Sequence, residues 1–190
     1  MPLGDLFPDE LKGQNAENNL RIGSVLRYFN TDTRPPKVKR IVVVGFNEGK
    51  ILFAYVFINT EINPNIFSSP RMRDLHLAFE ASGREYLDHD SYVDCSQIKQ
   101  EDSDAIKELM TQDFSVHIGD LSGNDIEKVV EKLKNAPTID VKTKRKFGLI
   151  WHLLFKKAHG KPIDWDWFIE SVPLSIWAFL IVLSKNCLHL

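Results

Sequence analysis

Residues 40–60 read RIVVVGFNEGKILFAYVFINT, and this stretch constrains the fold more than any other. β-Branched and aromatic residues dominate both flanks of a short polar break. Such residues favour a pleated, half-buried backbone, so residues 40–46 and 50–60 are predicted as strands. Asn47 and Gly49 tolerate the positive φ of a tight connection, which makes residues 47–49 a hairpin turn. The second strand is almost continuously apolar, so both of its faces are expected to be covered. A lone hairpin is marginal in water, and the rest of the chain must supply further strands and that cover.

The neighbouring segments meet this need. Residues 23–30 (GSVLRYFN) read as a first strand. Residues 31–37 (TDTRPPK) form a loop, because two adjacent prolines fit neither a strand nor a helix interior. A turn-rich loop at 61–70 precedes predicted strands at 75–81, 84–87, 91–98 and 114–118. Short helical turns are expected at 8–12 and 101–110. A helix is expected after Ser122, a natural N-cap, with Asp125 three residues on as in a capping box. Ile126, Val129, Val130 and Leu133 then form one apolar stripe, and residues 135–137 end it.

Beyond Pro137 the composition shifts. A basic run (Lys142, Lys144, Arg145, Lys146) leads into a helical pattern with Phe147, Ile150, Trp151, Leu154, Phe155 and Ala158 on one face. A second pattern carries Trp165, Phe168, Ile169 and Val172. The reading is a polar leader at 1–21, a β-rich domain at 22–136 and a helical extension at 140–190. The fold class is mainly β with α: a small curled antiparallel sheet with one helix packed on it, then the helices. The basic run is read as the solvated face of a helix, with RNA backbone as its other reading. The aromatic faces exceed what a thin extension buries alone and point to a packed subdomain or a homo-oligomer interface.

Bulk properties exclude several classes. A length of 190 residues suits one domain with appendages or two small ones. The formal charge of −2 offers no global basic field for nucleic acid. Cys95 and Cys187 follow no ligand spacing and read as reduced thiols of a cytoplasmic protein. The N-terminal MPLGDLFPDELKG is acidic and proline-broken, unlike a signal peptide. The most apolar run, 174–183, is far shorter than the roughly 20 residues of a membrane span, so no membrane partner is expected.

Residues 84–98, REYLDHDSYVDCSQI, concentrate acids with a histidine and a cysteine. His89, Asp90 and Cys95 lack a second ligand pair at zinc-site spacing, and no metal is expected. Cys95 with His89 or His117 would make a nucleophile pair, yet no local signature of such an enzyme accompanies them. The favoured reading is structural: a buried Cys95, with Asp88, Asp90 and Asp94 capping turns or accepting backbone N–H bonds. No glycine loop for phosphates and no GxSxG elbow occurs.

The order of elements carries more. GSVL opens a strand, a basic proline loop feeds Arg40 into RIVVVG, the next strand ends in Asn59–Thr60, and VDCSQI precedes a short strand and the helix LSGNDIEKVVEKL. Over residues 22–136 this resembles the MazF/PemK toxin endoribonucleases of toxin–antitoxin systems. The resemblance implies an SH3-like barrel and cleavage of single-stranded RNA without a metal or other cofactor. It implies that Arg40 contacts the scissile phosphate, that Asn59 or Thr60 supplies the catalytic polar group, and that Asp94 is structural. Lys37 and Lys39 add positive potential for substrate, and a cognate antitoxin protein becomes an expected partner. Glu61 and His76 are the nearest general-base candidates.

The chain departs from the family pattern in several places. Ile41 stands where proline is usual, Cys95 where glutamine is, and Gly23–Ser24 replaces the glycine–aspartate pair. The 61–90 segment is longer than typical, and residues 140–190 have no counterpart. Arg40 has a plainer reading as a strand-edge cation paired to an acid. The corresponding function is a non-catalytic SH3-like interaction module that binds a partner protein with its helical tail. A Cys95-dependent enzyme is a third reading.

Overall fold

The computed structural model describes residues 8–150 apart from Asp32, and these belong to one compact unit ending at Ile150. The helices expected beyond residue 150 lie outside the described residues.

The hairpin that opened the sequence reading is the centre of the sheet. β1 (Ser24–Asn30), β2 (Lys37–Phe46) and β3 (Leu52–Asn59) form consecutive antiparallel pairs. The β2–β3 connection is a single 3-10 turn, Glu48–Lys50, with Gly49 at φ 79°. β4 (His76–Phe79) pairs with β5 (Ser91–Asp94), β5 and β6 (Lys99–Asp102) both pair with β3, and β7 (His117–Asp120) pairs with β1. Every pairing is antiparallel, and the main path through the sheet runs β4-β5-β3-β2-β1-β7. The result is a mainly β fold, a curled antiparallel half-barrel carrying several helices.

Alternation along the strands makes two cores, one on each face. One holds Val25, Val42, Val44, Val56, Ile58, Val93 and Cys95 beneath α4 (Gly123–Asn135), whose Val129 and Leu133 are buried there. The opposite face holds Leu26, Tyr28, Ile41, Val43, Phe53, Tyr55 and Phe57. It is covered by α1 (Asp9–Asn19) and α3 (Ser103–Gln112) through Ala16, Leu20, Ile106 and Met110. The double covering of β3 explains its unbroken apolar sequence. Two shorter helices, α2 (Pro70–Arg73) and α5 (Val141–Lys146), complete the set. Gly45 lies where the β2–β3 register shifts, and a side chain there would strike the Phe147 carbonyl just after α5.

Ser122 caps α4 as its sequence implies, accepting the Asp125 N–H at 3.2 Å. Asp125 does not reach back; its carboxylate accepts two hydrogen bonds from Arg84 at 3.0 and 3.1 Å. Other expectations need correction. Residues 84–87 are turns rather than a strand, held by Arg84 N–H to Ala81 and Leu87 N–H to Arg84. The helix expected at 8–12 runs to Asn19. Residues 114–116 make a 3-10 turn, and the strand begins at His117. The strand expected at 91–98 stops at Asp94, because that carboxylate accepts both the N–H and the hydroxyl of Ser96 and closes a turn. Glu101 belongs to β6, and Asp102 caps α3 by accepting the N–H groups of Asp104 and Ala105.

Candidate functional site

The pleat of β2 and β3 sorts the predicted site residues onto two faces. Arg40 pairs with Ile58, and Lys39 precedes it on the other side of the strand. Arg40 therefore shares a face with Ile58 and, two residues on, Thr60. Lys37, Lys39 and Asn59 share the opposite face. Arg40 and Thr60 are brought to one place, and Asn59 is not.

On the second face, the Lys39 ammonium donates to Asn59 Oδ1 at 2.5 Å and lies 5.2 Å from the centre of the Phe57 ring. Burial pushes the Lys39 pKa down, and the neighbouring charge of Lys37 adds to the fall against an opposing pull from Asp94. Lys37 itself is exposed. The Lys39–Asn59 pair is thus mutually satisfied and half-buried.

On the first face, the segment leading into β5 crosses the end of β3. Asp88 forms an ion pair with Arg40, and its neighbour His89 places Nε2 3.2 Å from the Thr60 hydroxyl. Two consecutive residues therefore fasten onto Arg40 and Thr60 together. Arg27 sits directly opposite Arg40 in the β1–β2 register and is exposed. Arg40 is 22% exposed at its side chain, and its Nε is buried without a hydrogen-bond partner.

The remainder of residues 84–98 is framework. Asp90 accepts the Ala81 N–H at 2.8 Å. Asp94 serves Ser96 at 2.9 and 2.6 Å, as a structural acid should. Cys95 is fully buried, and burial followed by the charge of Asp94 pushes its thiol up to about 12, which leaves it protonated and inert. His89 lies against Thr60, and His117 lies 3.5 Å from Asp120, so each imidazole is engaged away from Cys95. Asp88 is the exception to the turn-capping expectation, since it turns to Arg40.

His76 does not approach Arg40. It is buried on the Lys39 side of the sheet, 3.4 Å from Asp94 and against the Phe67 ring, with Nδ1 3.2 Å from the Met72 carbonyl. Glu61 is exposed, just beyond β3. His89 is the titratable group that sequence reasoning passed over for this role. In the sequence it stands out as a neighbour of Asp90 and Cys95, and nothing local points it towards Thr60.

Among the described residues, no three His, Cys, Asp or Glu side chains converge as metal ligands, and no helix is long and apolar enough to cross a membrane. No protein-family model matches this chain, and no curated protein matches it.

Proposed function

We propose that the chain is an endoribonuclease of the MazF/PemK type that cleaves single-stranded RNA, its half-barrel serving as an SH3-like barrel. The observation that carries the reading is the convergence of Arg40, Thr60 and His89 on one face at the end of the β2–β3 hairpin. In such a reaction the RNA's own 2′-oxygen attacks the adjacent phosphorus. The bond to the 5′-oxygen breaks, leaving a 2′,3′-cyclic phosphate and a 5′-hydroxyl. His89 accepts the 2′-OH proton, and its contact with Thr60 orients the imidazole. The departing 5′-oxygen takes a proton from water. Arg40 meets the charge that builds on the phosphoryl oxygens with a planar, permanently charged fork. Asp88 holds that fork until phosphate displaces it. A cognate antitoxin and a second copy of the chain are the protein partners this reading implies, and a cytoplasmic setting follows from it.

The test is cleavage of a varied single-stranded RNA pool in EDTA buffer by wild type, Arg40→Ala and Lys39→Ala. Wild type cuts. Arg40→Ala loses about 10²–10³ in rate while folding normally. Lys39→Ala, on the other face, keeps its rate. An uncut pool with wild type ends the enzyme reading. The reading that replaces it is a non-catalytic SH3-like interaction module, which the Arg40–Asp88 ion pair favours, because there the cation already has its acid.

A further inference from the structure

We infer that Phe29 and Val38 form a base-stacking subsite beside the catalytic face, so that the protein reads the exposed bases of a single strand and not only its phosphates. This rests on the reading of that face as an RNA site. Phe29 and Val38 face each other one pair from the end of the β1–β2 ladder and are 61% and 51% exposed. Arg27 and Arg40 are the next pair on the same face, about 6.6 Å further along the strands. The two pairs make a four-residue patch, apolar at one end and cationic at the other.

The register places this patch against the candidate chemistry. Val38 lies two residues before Arg40, and Thr60 lies two residues after Ile58, the partner of Arg40. Thr60, just past the end of β3, therefore lies at the same end of the sheet as Phe29 and Val38, with His89 on it. Arg27 and Arg40 are level in the adjacent row, with Asp88 paired to Arg40. A polyanion with flat apolar side groups matches this arrangement. Phosphates lie over the arginines while a base lies on the Phe29 ring and the Val38 methyls. A paired base in a duplex hides its face in the stack and cannot use such a platform.

The experiment uses the full chain and a fluorescent mixed-sequence oligoribonucleotide whose 2′-hydroxyls are all methylated, which separates binding from cleavage. The same strand in a duplex and base-free polyphosphate are the comparison ligands, and binding is read by anisotropy. Wild type prefers the single strand to the duplex. Phe29→Ala weakens single-strand binding about 5- to 150-fold, the range of one lost stacking contact, and leaves polyphosphate binding unchanged. Phe29→Tyr restores binding, and Phe29→Leu behaves as Phe29→Ala. With cleavable RNA, Phe29→Ala raises KM and keeps kcat.

Cleavage and binding that are both indifferent to Phe29, or full activity in Phe29→Leu, overturn the subsite and leave the nuclease reading standing. Binding that needs Phe29 in a protein that cuts nothing removes the nuclease reading and keeps the subsite. A wild-type protein that binds no single strand overturns both.

Discussion

Lys39 and Arg40 are neighbours in one strand, equal in charge and both half-buried, yet they occupy different worlds. Lys39 is closed on itself, lying over Phe57 and bound to Asn59, with burial working against its charge. Arg40 looks onto a face where a hydroxyl, an imidazole, a second arginine and an exposed aromatic ring gather. The segment 88–95 repeats the contrast within itself. Asp88 and His89 reach out to Arg40 and Thr60, and Asp94 and Cys95 turn into the protein. Residue type did not decide these fates. In β2 the pleat did, by sending consecutive residues to opposite faces, and in 88–95 the passage from loop into β5 did.

The contrast breaks most visibly at the histidines. His89→Ala is expected to lower RNA cleavage by about 10²–10⁴ with little change in thermal stability, as loss of a general base does. The companion His76→Ala is expected to do the reverse, lowering the melting temperature while the folded fraction keeps its activity. Equal activity losses in the two variants would erase the distinction between the faces.

Cys95 sharpens it at the next level. Cys95→Ala should cost on the order of 1 kcal/mol in denaturant unfolding and leave activity intact. With the thiol pushed up to about 12, iodoacetamide at pH 8 should leave Cys95 unmodified in the native protein and alkylate it after denaturation, as peptide mapping by mass spectrometry will read. Native alkylation at Cys95, or activity lost in a folded Cys95→Ala protein, would move that residue into the site.

The smallest effect belongs to Asp88. The Asp88 side chain is 73% exposed, so its grip on Arg40 is modest. Asp88→Asn should raise kcat/KM by up to about 5-fold through a lower KM, since phosphate then meets no competing carboxylate. A fall in kcat instead would show that Asp88 positions the arginine.

Much of the framework was legible in the sequence. The 40–60 hairpin announces itself through composition, and its short turn brings Arg40 opposite Ile58, near the far end of the second strand. α4 is legible from Ser122 and its apolar stripe. α1 is legible only in its first turn, because DELKGQNAENN carries no apolar period and its buried apolar contacts are Ala16 and the adjoining Leu20. Tyr86 and Leu87 mimic a strand by being apolar, but they are buried from within turns. Of the candidate site, Thr60 was legible as the end of a strand, whereas Arg40, expected to begin its strand, lies inside β2, which starts at Lys37. Asp88 and His89 were not legible, since they meet their partners across 48 and 29 residues, and no local spacing encodes a contact of that range.

β3 shares one of its sides between two partners. β6 holds Leu52–Tyr55 through four paired residues, and β5 holds only Ile58 and Asn59. Between them, residues 94–98 span the width of residues 56 and 57 only, and the surplus is folded inward, with Cys95 and Ser96 buried. The β4–β5 ribbon, whose connecting segment carries Asp88 and His89, is therefore tied to β3 by two paired residues, and its place depends on Phe79, Val93 and Cys95 in the core. The position of Asp88 and His89 over the end of β3 is thus set by side-chain packing more than by the backbone ladder.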